Sequence, residues 1–299
     1  MTSVPWQAAP VPAQVTQRWT VGAATITRVV EAETPGIPPE LFFPGFTAAE
    51  AQQIPWLVPD FAAEDGTIGF AVQAFVVEVA GRTVVVDPCV GNGKRLGFAF
   101  WNDQDWPFWD RFTGAGFAAE TVDLVVHTHL HADHIGWDTR REGDAWVPTF
   151  TNARHLYTEA DLAHRRASDT PGVEEAYEES IAPIFAAGLA DIVAEDADLG
   201  DGLRLEPSGG HTPGHVSLWV ESEGEVALIS GDFLHHPLQC AVPDTAEIGD
   251  ADVEEARVTR HRMLAKAATT GALFVGTHFP TAPAGHVRAD GETFRFHPV

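Results

Sequence analysis

Short runs of β-branched and aromatic residues alternate with stretches of helical period along most of the chain. FAVQAFVVEV and TVVVD stand on either side of Ala80 and Gly81, a spacing that predicts a β-hairpin. Further strand-like runs are LVV at 124–126, VALI at 226–229 and LFV at 273–275. Between them the periodicity predicts helices over Glu159 to Arg166, over Gly172 to Leu189 and over Asp252 to Thr269. The last of these places Val253, Ala256, Met263, Leu264 and Ala267 along one face. Strands interleaved with helices predict an α/β layered fold.

Ahead of this region the pattern is less regular. Residues 1–19 read as a Pro-rich N-terminal arm, with one domain over 20–299, and residues 31–61 as a second irregular stretch rich in Pro and aromatics. Inside that stretch Thr47 and Glu50 have capping-box spacing and predict a short helix. So many aromatics would be costly to leave in water, which makes the segment a packed loop, a pocket wall or a dimer contact.

Composition narrows the partners. With 18 basic and 43 acidic residues the chain carries a formal charge of −25, which repels nucleic acids and anionic membrane surfaces at long range. The first residues lack the basic and apolar segments of a secretory signal, and no later run is long enough to span a bilayer. A soluble cytoplasmic protein acting on a small molecule is expected, and the arm suggests a homodimer. Cys89 and Cys240, far apart and without a paired motif, read as two unreactive thiols.

The chemistry gathers in VVHTHLHADHIGW, where an apolar strand runs into four candidate ligands: His129, His131, Asp133 and His134. Alternate residues of a strand face one side, so His129 and His131 can converge on one ion; Asp133 and His134, after the chain turns, can reach a second. Packing these groups together without a cation would leave polar atoms competing for partners and a charge uncompensated. GGHTPGHVS with His215, LISGD with Asp232 and FVGTH with His278 follow, each at or just beyond the end of a short apolar run.

These five motifs, in order from Asp87 to His278, resemble those of the metallo-β-lactamase superfamily. The resemblance implies a four-layer αβ/βα sandwich, two mixed sheets flanked by helices, with metals held at the strand ends. It assigns His129, His131 and His215 to a first divalent ion, Asp133, His134 and His278 to a second, and Asp232 to a bridge between them. Asp87 matches an acidic residue that orients a ligand, its plainer reading being an Asp that ends a strand before Pro88. His211 resembles a histidine that does not bind metal, and His127 a structural one; His155, His164, His261, His286 and His297 have no comparable spacing and read as ordinary surface or core residues.

Nitrogen and carboxylate ligands without thiolates suit two zinc ions, with manganese, iron or cobalt open on ligand type. Two such ions, about 3.5–4 Å apart, can share a hydroxide at neutral pH, with Asp133 carrying the released proton. The motif set is similar to that of quorum-quenching lactonases and of the methyl-parathion-hydrolase group. It thus implies a dinuclear hydrolase of a lactone or ester of an apolar, neutral small molecule, with phosphotriesters as a side activity. Two alternatives stand beside it: a mononuclear iron oxygenase resembling the persulfide dioxygenases, and a β-lactam hydrolase, against which the bridging Asp232 counts. Acyl-homoserine lactonases place Tyr three residues beyond the bridging Asp; here that position is His235, which counts against that lactone.

His235 and His236, in GDFLHHPLQ, follow the bridge closely enough for one of them to donate a hydrogen bond to the substrate, the alternative being a structural pair in a loop. Trp137 and the block FAFWNDQDWPFWD, with Phe98, Phe100, Trp101, Trp106, Phe108 and Trp109, are divided between ordinary core and an apolar pocket mouth.

Overall fold

A computed structural model describes residues 16–96, 100–168 and 172–299. Two seven-stranded mixed sheets lie face to face. The first, in spatial order, joins β1 (Arg18–Val21), β2 (Ala24–Ile37), β3 (Ile68–Val79), β4 (Arg82–Val86), β5 (Leu124–Val126), β8 (Arg154–Thr158) and β9 (Ala190–Val193). Pairing is antiparallel from β1 to β4 and parallel from β4 to β9. A small hairpin, β6 (Thr139–Glu142) with β7 (Ala145–Pro148), stands apart. The second sheet runs β10 (Asp198–Gly200), β11 (Leu203–Pro207), β12 (Val216–Ser222), β13 (Glu225–Ile229), β14 (Leu273–Val275), β15 (Ala284–Asp290) and β16 (Thr293–Pro298), parallel only at β13 with β14.

Strand alternation sorts the side chains into layers. Phe75, Val77, Val84 and Val86 of the first sheet meet Leu218, Val220, Ala227 and Ile229 of the second in one buried cluster. Their neighbours Ala74, Val76 and Val85 belong to another cluster with Phe108 and Phe112 of α2 (Phe108–Gly114), on the outer side of the first sheet. Trp219, Leu228 and Phe274 share that cluster with Met263, Leu264 and Ala267 of α8 (Val253–Thr270), which covers the second sheet. Helix, sheet, sheet, helix is the four-layer sandwich expected.

Local chemistry sets the element ends. The β3–β4 hairpin turns on Ala80 and Gly81, both at positive φ, pairing Val79 with Arg82. Thr47 and Glu50 form the capping box of α1 (Ala48–Ala51). Asp252 caps α8 at one end and Gly271, in the left-handed region, closes it at the other.

Three boundaries differ from expectation. Arg18 and Trp19, read as part of an arm, pair with Thr27 and Ile26 in the sheet; residues 1–15 of that arm lie outside the described residues. The first residues of the irregular stretch, through Ile37, extend β2, because pairing with β3 satisfies a backbone that local Pro and Gly disfavour. The helix expected over 172–189 is divided into α5 (Val173–Ala176), a π turn (Tyr177–Ile181) and α6 (Ala182–Ala186). Pro183 has no N–H for the carbonyl of Glu179, which instead accepts from Thr139 Oγ1 and Lys94 Nζ. Among the described residues no helix is long and apolar enough to cross a membrane.

Candidate metal centre

The site lies where β4, β5, β13 and β14 end. Asp87, directly after β4 and at positive φ, accepts from Thr128 N–H at 2.8 Å and from Thr128 Oγ1 at 2.7 Å. Its Oδ2 also lies 3.0 Å from Nδ1 of His134. The same carboxylate thereby fixes the exit of β5 and the orientation of a candidate ligand. Beyond that exit the chain turns into α3 (Ala132–Ile135), which points Asp133 and His134 inward from one helical turn.

Asp161 on α4 (Glu159–Ala167) ties the ligand loops together. It accepts from Leu130 N–H at 3.0 Å and from Gly214 N–H at 2.9 Å, joining HTHLH to HTPGH. On the far side, Ala71 and His278 are bonded twice: Ala71 N–H donates to the His278 carbonyl at 3.1 Å, and His278 Nδ1 donates to the Ala71 carbonyl at 2.7 Å. Phe70 stacks on the His278 ring at 4.3 Å and 16°.

Among the described residues four overlapping sets of potential ligand atoms result, each within 4.8 Å: His129, His131 and His211; His129, His134 and Asp232; Asp133, His134 and His278; and His211, His235 and Glu247. Asp232 Oδ2 sits among them, 3.0 Å from His278 Nε2, 3.3 Å from His134 Nε2, and 3.7 Å from both His129 Nε2 and His211 Nε2. Burial, reinforced by neighbouring imidazoles, holds His129, His131 and His211 well below the usual histidine range, so these rings are neutral and have lone pairs to give. Burial would raise Asp232, but His134, His278 and His235 outweigh it and keep the carboxyl ionised. His129 Nε2, both ring nitrogens of His134 and Asp232 Oδ1 are buried without a hydrogen-bond partner. Unpartnered ring nitrogens and a carboxylate oxygen, converging from several strand ends, are what divalent cations would satisfy.

His129, His131, Asp133, His134, Asp232 and His278 are therefore brought together as the motifs implied. His215 is not. Its Nε2 accepts from the backbone N–H of Asp232 at 2.7 Å and its Nδ1 faces Ser208 Oγ at 2.8 Å, so both ring nitrogens are engaged away from the cluster. The place expected for His215 is taken by His211, whose Nε2 lies 2.9 Å from His131 Nδ1 and whose Nδ1 is 3.2 Å from Asp250 Oδ1. Asp250 in turn pairs with the fully buried Arg260 of α8 at 3.3 Å. A carboxylate on the second ring nitrogen is the usual support of a metal-binding histidine. His211 follows Gly210, whose φ of +122° swings the chain toward the cluster, whereas His215 immediately precedes β12 and takes that strand's orientation.

The two histidines after the bridge also part company. His235 Nε2 lies 3.2 Å from Asp232 Oδ2 and 3.7 Å from Glu247 Oε2, inside the site. His236 faces away: its Nε2 donates to the Phe61 carbonyl at 3.0 Å, its Nδ1 accepts from Leu238 N–H at 3.1 Å, and it is a structural residue, not a catalytic one. Glu247, which the sequence reading missed, is buried in the loop after α7 (Leu238–Ala241), and burial raises its pKa despite His235.

Away from the cluster, His127, His155 and Tyr157 surround Asp138. His127 Nε2 is 2.9 Å and His155 Nδ1 3.1 Å from the carboxylate, and Tyr157 donates to it at 3.1 Å; these are hydrogen-bond distances in a core network. The aromatic block divides. Phe108 and Trp109 stack on Trp137 in the core, while Phe100, Trp101 and Trp106 join Phe70 and Val72 around a small cleft; Phe98 lies outside the described residues. Cys89 and Cys240 are free and fully buried, with thiol pKa values raised by burial.

Four layers with a His/Asp cluster at the strand ends define a metallo-hydrolase fold, and the metallo-beta-lactamase superfamily model matches residues 67–291. The chain belongs to that superfamily. Among solved structures it is similar to the hydrolase AbOPH of the beta lactamase superfamily, with 23% identity, 96% of this chain and 98% of that one covered, and a TM-score of 0.79. It is similar also to AidC, a dizinc quorum-quenching lactonase in complex with its product N-hexanoyl-L-homoserine, with 20% identity, 95% and 97% coverage and a TM-score of 0.78. A probable metal-dependent hydrolase from Staphylococcus aureus follows at 19% identity, 93% and 99% coverage and 0.75. At these identities the likeness is one of fold. No curated protein sequence matches the chain.

Proposed function

We propose that the protein is a dinuclear metal-dependent hydrolase that opens a lactone or cleaves a carboxyl ester with an apolar body. The observation that carries this reading is the position of Asp232 Oδ2 within 3.0–3.7 Å of five imidazole nitrogens, those of His129, His134, His211, His235 and His278, drawn from both halves of the cluster. His129, His131 and His211 would hold one ion, Asp133, His134 and His278 the other, with Asp232 between them. Nitrogen and oxygen ligands alone favour zinc, and the dizinc lactonase of like fold agrees with that choice. Bound there, two divalent cations supply an ionised water and an electrophile for the substrate oxygen.

The remaining work falls to side chains. Asp133, with Oδ2 3.6 Å from His278 Nε2, accepts the proton that the attacking water gives up. His235, whose Nδ1 has no partner, offers a hydrogen-bond donor to a substrate oxygen. Phe70, Trp101 and Trp106 form an apolar wall beside His278 for the body of the substrate. Aryl phosphotriesters fit the same arrangement as a slower side activity.

A panel of lactones, aryl esters, β-lactams and aryl phosphotriesters, assayed on protein of known metal content, tests the proposal. Turnover of lactones or esters by the two-metal form is expected. A single iron with oxygen consumption, or turnover confined to β-lactams, would replace this reading with one of its alternatives.

A further inference from the structure

A largely enclosed arginine with no partner in the protein stands beside the cluster. Arg165 lies on α4 four residues after Asp161, and so on the helical face that Asp161 turns toward Leu130 and Gly214 in the ligand loops. The residue is 8% exposed, its Nε is buried and unbonded, and among the described residues nothing forms a hydrogen bond or ion pair with its side chain. Of its three nitrogens only Nε is shut off from water, which leaves the two terminal ones open to a partner from outside the chain, and an arginine this enclosed is seldom left unpaired because desolvating its charge is costly. Burial draws its pKa down to about 10, and Asp161 and Asp133 oppose this only from beyond contact distance. Its charge is felt in turn at His131, one of the candidate ligands.

We propose that Arg165 is a binding residue for a carboxylate at the edge of the metal centre. A guanidinium offers paired N–H donors in the geometry a carboxylate accepts, and a partner arriving with substrate explains why the fold supplies none. The carboxylate has two possible sources. Hydrolysis creates one: water forms the new bond to the acyl carbon, the bond to the alcohol oxygen breaks, one water proton passes to that oxygen, and the acid formed gives up the other. Alternatively the substrate already bears one, which would amend the neutral molecule that the resemblance of the motifs implies. Either source rests on the hydrolase reading; binding of a carboxylate does not.

The test uses metal-loaded protein in three forms: wild type, Arg165→Met and Arg165→Lys. Hexanoate binding is followed by calorimetry, Tm and metal content are recorded, and methyl hexanoate is compared with monomethyl adipate as substrate. Arg165→Met is expected to keep its metals, to melt no lower than wild type, and to bind hexanoate at least about tenfold more weakly; Arg165→Lys falls between. A loss of kcat on both esters identifies the carboxylate as the one hydrolysis creates, and a rise in KM on monomethyl adipate alone as one the substrate bears. Unchanged hexanoate affinity in Arg165→Met overturns the proposal. So does a Tm lowered by several degrees in both variants, which would make the guanidinium a packing group. Arg165-dependent hexanoate binding in a protein that cleaves neither ester nor any lactone would defeat the hydrolase reading and leave this one standing.

Discussion

The backbone N–H of Asp232 donates to Nε2 of His215 at 2.7 Å. That bond fixes the tautomer, since a nitrogen that accepts carries no proton. Nδ1 then bears the hydrogen and donates to Ser208 Oγ, which donates to Ser217 Oγ, which donates to the Ser230 carbonyl. His215 thereby holds Asp232 by its main chain. The fit is close, for Gly231 at φ +60° passes where a Cβ would lie 2.5 Å from the His215 ring.

His211→Ala and His215→Ala are therefore expected to differ in kind. His211→Ala should cost about one of two zinc equivalents by elemental analysis. His215→Ala should keep both at saturating zinc while losing roughly 1–3 kcal/mol of stability, the cost of a buried N–H left unpaired. Reversed results would return His215 to the ligand set.

Asp87→Asn removes the charge facing His134 Nδ1. Support of this sort is worth roughly 10–100-fold in metal affinity. Chelator competition should show that loss for one ion and a smaller change for the other; equal affinities in variant and wild type would show that Thr128 alone is what Asp87 serves.

Asp138 makes stability depend on pH in a stated direction. Burial would raise its pKa, but His127 and His155 lower it to about 2 from an ordinary 3.8. Because the folded value is the lower one, its stabilising effect is complete above pH 4 and fades as pH falls toward 2. The size is about 2 kcal/mol. Asp138→Asn should accordingly melt well below wild type at pH 7, and the gap should close in acid; a gap constant down to pH 2 would rule out the linkage.

His235→Gln is expected to lower kcat by about tenfold or more with metal content intact, within the usual range for loss of a positioned proton donor. His236→Gln should instead lower Tm, since its ring bonds only Phe61 and Leu238. Turnover lost equally in both would return His236 to the site.

Much of this was legible in the sequence because local periodicity and ligand position coincide. LVV at 124–126, VALI at 226–229 and LFV at 273–275 are strands, and His129, Asp232 and His278 follow each within a few residues. The choice between His211 and His215 was not legible, because HTPGH is a turn in which spacing does not say which ring faces inward. Asp250 and Arg260, which support His211, reach it from 39 residues and more along the chain. Arg165 and Glu247 carry no motif and stand out only once burial is known. The strand through Ile37 was hidden for a related reason: its partner β3, not its own composition, makes it a strand.

Zinc stoichiometry and lactone or ester turnover, measured on the same preparations of wild type and Asp232→Ala, bear most directly on the shared carboxylate. About two equivalents and measurable hydrolysis are expected for wild type, with about one or fewer and no turnover for the variant. An Asp232→Ala protein that keeps both ions and full activity would contradict a centre joined by that side chain.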